Sequence, residues 1–182
     1  MEGSERRSEV LRNRSKADDM SVINIAEKVR KLMPGLNAAF VDIGSEKDAF
    51  LHYLDLGIHA RTTNAFVSQA ITTGKRSISK VQYLDEVPKN GKISDIITAG
   101  QLLMVQVAKE PISTKGPRIT TEVSFAGRYL VLVPFGDKVS ISQKIRSSQE
   151  RKRLKSIVQG LRPRNFGIII RTVAEHKSAE EL

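Results

Sequence analysis

The sequence predicts a mainly β protein of α+β character, in which a small five-stranded barrel is followed by a small mixed α/β subdomain. Short runs with strand-like alternation lie within residues 22–51 and 101–125. A long basic segment of low periodicity, residues 57–98, separates these two groups. After residue 128, apolar runs typical of strands flank one segment with helical spacing. Three strands, an insertion and two more strands are what an OB barrel requires.

The positive charge is concentrated in one part of the chain. The 182 residues carry a net charge of +10, and residues 101–182 alone account for +8 of it. A basic excess confined to one half indicates a surface that faces a polyanion such as nucleic acid. A solvated basic face is the alternative.

The composition limits the compartment and the chemistry. The chain has no cysteine, which excludes disulfides, thiol chemistry and cysteine-type zinc sites and fits a reducing compartment. No apolar run approaches the roughly 18–20 residues of a membrane span, and the N-terminus has no apolar signal-peptide region. We therefore expect a cytoplasmic protein without a membrane span.

The N-terminal strands are predicted from alternation. Residues 1–21 show almost no apolar periodicity and are expected to form a flexible leader. Short strands are expected from Val22 onward, and residues 29–32 lead into a turn at Pro34-Gly35. Residues 37–44 alternate, and a third strand follows at residues 48–51. One face of the alternating strand carries Ala39, Val41 and Ile43, and the other carries Ala38, Phe40 and Asp42.

The central segment and the strands after it define two expected domains. Ser, Thr, Lys, Asn and Gly are frequent in residues 57–98, which predicts a long basic loop. Strands return at residues 101–109 and 118–125. We expect an OB-fold domain over residues 22–115 and a second, α/β region over residues 116–182.

The second region combines strands with one helix. The continuous apolar run at residues 129–133 is typical of a strand buried on both faces. Further short strands are expected at residues 139–142 and 167–172. Ser147 and Glu150 form a capping box, which predicts that a helix begins there. Its expected apolar face consists of Leu154, Ile157, Val158 and Leu161, and Pro163 ends it.

A second capping box stands near the last residue. Ser178 and Glu181 have the spacing that starts a helix, yet the sequence stops after Leu182. This predicts a truncated chain, and a frayed polar tail is the alternative.

Two phenylalanines are candidates for stacking with unpaired bases. Phe40 shares the mixed face of its strand with Asp42, and Phe50 has a similar but weaker pattern. An aromatic ring on the outside of an OB barrel stacks on bases and contributes about 1–3 kcal/mol per base. The alternative is a ring covered by a neighbouring loop.

Three further residues are candidates for phosphate binding. Lys115 lies in a turn between the last two barrel strands, where an ammonium can reach a phosphate or remain solvated. Arg171 and Thr172 end an apolar strand, and a guanidinium with a hydroxyl can chelate a terminal phosphate. An ion pair between Arg171 and Glu175 is the alternative.

Catalytic groups are not apparent. His52, His59 and His176 are scattered and have no metal-ligand spacing. No nucleophile has an evident base, and no phosphate-cradling glycine loop is present. We therefore expect no catalytic residue, metal ligand or cofactor site in this chain.

Several segments together resemble one known family. They are MPGLNAAFVDIG at 33–44, AFLH at 49–52, VQVAKEP at 105–111, TKG at 114–116, TT at 120–121, GRYLVL at 127–132, IIIRT at 168–172 and KSAE at 177–180. In this order they resemble the front part of the ribonuclease E/G family, most closely the G type, and they cover residues 22–182. That part of the family comprises an S1-type OB domain, which binds RNA, and a 5′-sensor region.

The resemblance implies roles for particular residues. Three of them would hold single-stranded RNA on the barrel: Phe40, Phe50 and Lys115. Arg171 and Thr172 would grip the 5′-monophosphate of the RNA, with backbone groups near Gly127 and Val131. This sequence departs from the family pattern at two places. It has Gln143-Lys144 where the family usually has paired arginines, and its first barrel strand lacks the usual aromatic residue and glycine.

The expected function is therefore RNA binding and 5′-end sensing in the non-catalytic part of a magnesium-dependent endoribonuclease. The nuclease domain of the family, with its metal ligands and its homo-oligomer contacts, does not match any segment here. Cleavage by this chain alone is not expected, and magnesium is expected only for the full-length enzyme. The alternatives are a stand-alone OB-fold RNA-binding protein without 5′-end preference and a scaffold that binds other polyanions.

Overall fold

Five strands form a closed barrel in the first part of the chain. The computed structural model describes residues 23–74, 77–113 and 115–182, with side chains from residue 27 onward, so the leader expected at residues 1–21 lies outside the described residues. The barrel strands are β1 (Ile23–Met33), β2 (Ala38–Asp42), β3 (Ala49–His52), β4 (Leu102–Lys109) and β5 (Arg118–Thr120).

The order of the barrel strands confirms the predicted OB-type fold. They are hydrogen-bonded in the order β1-β2-β3-β5-β4, and β4 pairs with β1 to close the barrel. All neighbours are antiparallel except β3 and β5, which are parallel. The register of β1 shifts at two places, and such irregularities increase the local bend that lets a single long strand contact both of its neighbours.

Strand alternation builds the core of the barrel. Ala39 and Val41 of β2 and Leu51 of β3 are completely buried and belong to one apolar cluster. Because side chains alternate along a strand, Phe40 and Phe50 lie on the opposite, outer face. The predicted division of β2 into an inner and an outer face is correct except at Ala38, which is also buried.

The predicted loop at residues 57–98 contains a helix, and the prediction is wrong in this respect. The helix α1 (Ala60–Thr73) ends at Gly74, which has a φ of 68°. Its buried residues include Thr62, Thr63 and Asn64, so polar side chains hide the apolar period on which the prediction relied. The helix packs against β4, and we attribute its formation to this tertiary packing and not to a regular hydrophobic pattern.

The predicted strand at residues 118–125 is two separate elements. β5 ends at Thr120, whose hydroxyl accepts a hydrogen bond from the N–H of Glu122 at 3.0 Å. The next strand, Phe125–Ala126, belongs to the other sheet. Because β5 completes the barrel, the barrel extends beyond the expected domain boundary after residue 115.

A four-stranded sheet and a helix form the second part, as the predicted α/β region requires. The strands are β6 (Phe125–Ala126), β7 (Leu130–Pro134), β8 (Val139–Ile141) and β9 (Phe166–Ile170), in the order β6-β7-β9-β8. β8 runs parallel to β9, and the other neighbours are antiparallel. Every residue of β7 is half-buried, so the prediction that this strand is buried on both faces is wrong.

The helix α2 (Ser148–Leu161) begins at the predicted capping box. The hydroxyl of Ser147 accepts a hydrogen bond from the N–H of Glu150 at 3.3 Å. Leu154 and Val158 are buried against the sheet, whereas Leu161 at the end of the predicted apolar face is 52% exposed. Within the described ranges, neither helix has the length and apolar character that crossing a membrane requires.

Glu150 connects the start of α2 to the C-terminal segment. Its carboxylate accepts two hydrogen bonds from Arg153, at 2.7 and 2.8 Å, and one from the N–H of His176 at 2.8 Å. Arg153 also donates to the carbonyl of Lys177 at 2.9 Å. The bonds from Arg153 and then from His176 lower the pKa of Glu150 from its ordinary value of 4.5 to about 2.

Replacing Glu150 by Gln is expected to reduce stability in a pH-dependent way. A carboxyl whose pKa is lower in the folded state stabilises the fold fully above its unfolded pKa, and this contribution disappears as the pH falls through the folded pKa. The difference in unfolding temperature between the wild type and Glu150→Gln should therefore be largest at neutral pH and shrink between 4.5 and about 2. Calorimetry across the acid range measures it. Glu122→Gln, at an exposed carboxylate, is the control, and a constant difference at all pH values would contradict the assignment.

Candidate nucleic-acid interface

Two aromatic rings lie side by side on the outer face of the barrel. Phe40 of β2 and Phe50 of β3 are directly opposite each other in the register. Their ring centroids are 5.9 Å apart at an interplanar angle of 65°, an edge-to-face contact. Both rings are half-buried, so neither is covered completely by a loop. Each therefore leaves part of its surface available to a planar ligand.

The register extends this pair into a row with basic side chains on both sides. Lys31 of β1 is the cross-strand neighbour of Phe40, and Arg118 of β5 is that of Phe50. Lys109 of β4 is in turn opposite Arg118. Both lysines are exposed. The sequence could not reveal this row, because the cross-strand partners of a residue are known only once the register is fixed.

Arg118 has a structural partner. Its guanidinium donates two hydrogen bonds to the carboxylate of Asp55, at 2.7 and 2.9 Å, and these bonds raise its pKa. The hydroxyl of Thr120 donates to the backbone carbonyl of Asp55 at 2.7 Å. These two contacts hold β5 against the segment that follows β3. Within the described ranges, the two lysines of the row have no ion pair.

The turn that carries Lys115 packs directly against the strand that carries Phe50. The N–H of Lys115 donates to the carbonyl of Ile112 at 3.0 Å, and its side chain is exposed. The N–H of Phe50 donates to the carbonyl of Pro117 at 2.8 Å. Gly116 lies so close to the backbone of Asp48 that a Cβ there would collide with the Asp48 carbonyl oxygen. The fold thus brings Lys115 near Phe50.

The second group of candidate residues meets at the edge of the other sheet. The guanidinium of Arg171 donates to the carbonyl of Gly127 at 2.7 Å through Nη1. The N–H of Arg171 donates to the carbonyl of Tyr129 at 2.9 Å. The alternative ion pair with Glu175 is not formed in the described part of the chain. Arg171 is exposed and therefore free to donate its remaining N–H groups.

Thr172 and Val131 complete this group. The hydroxyl of Thr172 forms a hydrogen bond with the hydroxyl of Ser142 at 3.0 Å. Val131 is the cross-strand neighbour of Ile169, two residues before Arg171. Ser142 was not among the residues singled out from the sequence, and only the parallel pairing of β8 with β9 places it beside Thr172. A fork of N–H donors and two hydroxyls suits an anion with several oxygens.

Tyr129 organises two more cations near this edge. The guanidinium of Arg128 lies 5.2 Å from the centroid of the ring, and the ammonium of Lys177 lies 5.6 Å from it. Lys177 also pairs with Glu181 at 2.7 Å. These contacts hold positive charge close to Gly127.

The three histidines have separate local contacts. Nδ1 of His52 accepts a hydrogen bond from the N–H of Leu54 at 3.1 Å. His59 makes an edge-to-face contact with Tyr83, with 5.6 Å between ring centroids. The backbone N–H of His176 donates a hydrogen bond to the carboxylate of Glu150. Among the described residues, no group of three or more His, Cys, Asp or Glu side chains could hold a metal ion.

Comparison with known proteins identifies relatives of this chain. The model of the Ribonuclease E/G family matches residues 124–182. Ribonuclease G of Haemophilus influenzae and ribonuclease G of Escherichia coli K12 are each 39% identical over 155 residues. Ribonuclease E of Nostoc is 35% identical over 156 residues. These alignments cover 85% of this chain, but only 28% of each ribonuclease G and 19% of the ribonuclease E.

Replacing Gly116 by Ala is expected to destabilise the protein and to displace Lys115. The added Cβ must push the turn away from the Asp48 backbone, and overpacking of this kind costs about 1–3 kcal/mol of unfolding free energy. Urea unfolding measures the loss. Gly35→Ala is the matched control, because a Cβ at Gly35 meets nothing within 4 Å. Equal stabilities of the two variants would show that the turn does not pack as described.

Proposed function

The chain belongs to the ribonuclease E/G family, and from this premise we propose that it binds single-stranded RNA and senses a 5′-monophosphate. In this proposal it is the non-catalytic N-terminal part of a longer cytoplasmic endoribonuclease that acts in RNA processing and decay. The magnesium-dependent cleavage and the homo-oligomer expected of such an enzyme are not assigned to any residue of this chain. The chain spans 28% of the length of its ribonuclease G relatives.

The pair of half-buried rings on the barrel is the observation that carries the proposal. Phe40 and Phe50 offer adjacent aromatic surfaces to bases that are not already stacked in a duplex. Lys31 lies beside Phe40 in the register, and the turn that carries Lys115 packs against the strand of Phe50. Their ammonium groups can neutralise the phosphates between successive bases. Contacts of this kind depend little on base identity, which suits an enzyme that acts on many transcripts.

The second group of residues supplies the proposed end recognition. Arg171 is held by the carbonyl of Gly127 through one N–H, so its guanidinium is oriented before the ligand arrives. The hydroxyls of Thr172 and Ser142 lie next to it. A terminal monophosphate has more non-bridging oxygens and more negative charge than an internal phosphate. An RNA that ends in a 5′-hydroxyl has no phosphate at that end. The site should therefore favour phosphorylated ends.

Two sites on one chain have a combined effect. When bases stack on the barrel, binding of the 5′ end at the second sheet becomes an intramolecular step, with an effective concentration set by the length of RNA that spans the two sites. RNA that is both unpaired and monophosphorylated gains from both contacts. A stand-alone OB-fold protein would lack the second contribution, and a general polyanion scaffold would lack the first.

Replacing Phe40 by Ala is expected to weaken RNA binding by about 1–3 kcal/mol, because one stacking surface is lost. The loss should be the same for oligonucleotides with a 5′-phosphate and with a 5′-hydroxyl, since stacking does not depend on the terminus. Fluorescence anisotropy with a pair of such oligonucleotides measures it. Tyr83→Ala, which removes a ring that is 40% exposed outside the row, is the control. Unchanged binding by Phe40→Ala would reject the barrel face as the RNA site.

Replacing Arg171 by Ala is expected to cost about 1.5–3 kcal/mol of binding free energy for 5′-phosphorylated RNA, because a charge-assisted contact is lost. Binding of the 5′-hydroxyl form should change little. Arg164→Ala removes another exposed charge from the same region and serves as the control. Equal losses for both forms of RNA would show that Arg171 does not sense the end.

A further inference from the structure

A groove whose charged lining residues are all positive lies between β8 and α2. Its volume is about 510 Å³, and its walls are the outer edge of β8, the loop after β8 and the first two turns of α2. The lining residues are Val139, Ser140, Ile141, Gln143, Arg151, Lys152 and Lys155. A cleft of similar size, about 530 Å³, lies beside Tyr83 but is lined by two arginines and three carboxylates. The β8–α2 groove has three cations and no acidic residue.

The cations of the groove repel one another without local compensation. Lys155 lies three residues after Lys152 and four after Arg151, so its charge is a neighbour of both others on the helix surface. Arg151 uses Nη1 to hold the carbonyls of Ser142 and Ile145, at 2.8 and 3.1 Å. Lys152 and Lys155 have no ion pair or hydrogen bond in the described part of the chain. Neither lysine is thus tied to the fold by a hydrogen bond or an ion pair there, and like charges at this spacing disfavour a helix slightly.

The strand edge adds neutral donors to the same groove. The N–H of Ser142 donates to Ile170, and the carbonyl of Lys138 accepts from Ile168, so these even-numbered positions face β9. In a parallel pair the backbone groups of the alternate residues point the other way. The N–H groups of Val139 and Ile141 therefore face outward at the end of the sheet.

We infer that this groove binds internal phosphates of RNA, as a second polyanion contact separate from the barrel face and the 5′-phosphate site. The inference rests on the proposed function. Three cations and two outward N–H groups match a chain of phosphates, each of which needs neutralisation and acceptor contacts. Ser142 connects the groove to the proposed 5′-phosphate site, because its hydroxyl contacts Thr172 and its carbonyl accepts a hydrogen bond from Arg151.

An extended acidic peptide is the less favoured occupant. Such a peptide would add a strand to the edge of β8, but β8 has three residues and offers few ladder hydrogen bonds. Apart from those few hydrogen bonds, the groove would hold the peptide only through the positive charges of its walls. RNA gains from the neighbouring sites on the same chain, whereas a peptide does not.

The test uses the double substitution Lys152→Gln with Lys155→Gln in the full 182-residue chain. Affinity for a 5′-hydroxyl RNA oligonucleotide is measured over a range of salt concentrations. Loss of two phosphate contacts should make the negative slope of log affinity against log salt shallower by about 1.4. It should also reduce the affinity about three- to tenfold. The matched control is Lys89→Gln with Lys92→Gln, which removes the same charge from exposed positions in the barrel part.

Stability separates a binding role from a structural one. Because Gln keeps helix propensity and removes the repulsion, the double variant should unfold at the same temperature as the wild type or higher. A lower unfolding temperature would mean that the lysines stabilise the fold, and the inference would be wrong. It would also be overturned if the control variant lost as much affinity, or if the double variant lost binding to polyglutamate but not to RNA.

The outcome for the groove is distinguishable from that for the proposed function. If the wild type binds RNA, and Phe40→Ala and Arg171→Ala behave as expected, an unchanged salt slope in the double variant rejects the groove alone. If the wild type does not prefer RNA over polyglutamate, the proposed function fails first.

Discussion

The closed barrel imposes the constraint on which the candidate interface depends. Ala39, Val41 and Leu51 must face inward to fill a barrel of five strands, and alternation then leaves Phe40 and Phe50 no position except the outer face. Two large rings that are only half-buried forgo part of the stabilisation that full burial gives, which is about 1.5–3 kcal/mol for each side chain. The same antiparallel pairing that builds the core therefore also builds the proposed stacking surface.

The second sheet has a different role in the proposed function. Binding of a terminal phosphate would need donors that converge from several directions, and no single segment supplies them. β7 and β9 bring Gly127 and Arg171 together, while the parallel strand β8 adds Ser142 beside Thr172. The helix α2 packs on this sheet, and the carboxylate of Glu150 at its start holds Arg153 and the C-terminal segment in place by hydrogen bonds. The remaining cations of α2 are left to face solvent or a ligand.

Several predictions from the sequence were wrong, and for identifiable reasons. The helix α1 was missed because three adjacent polar residues, at positions 62–64, are buried on it, so its pattern did not have the helical period. The strand predicted at 118–125 was divided because hydrogen bonds of Thr120 end β5 early. Lys31, Arg118 and Lys109 were not recognised as neighbours of the two rings, because the cross-strand partner of a residue is known only once the strand register is fixed.

The sequence alone determined the mainly β class, the capped helix α2 and the outward direction of Phe40, because periodicity and capping act over a few neighbouring residues. It also singled out Arg171 and Lys115 as candidate residues. The family resemblance already implied backbone groups near Gly127 as neighbours of Arg171. Only the tertiary structure decided the 2.7 Å hydrogen bond between these two residues, the place of Ser142 beside Thr172, and the packing of the Lys115 turn against Asp48. Strand register and sheet order bring residues together over long sequence separations, and a local pattern contains no information about them.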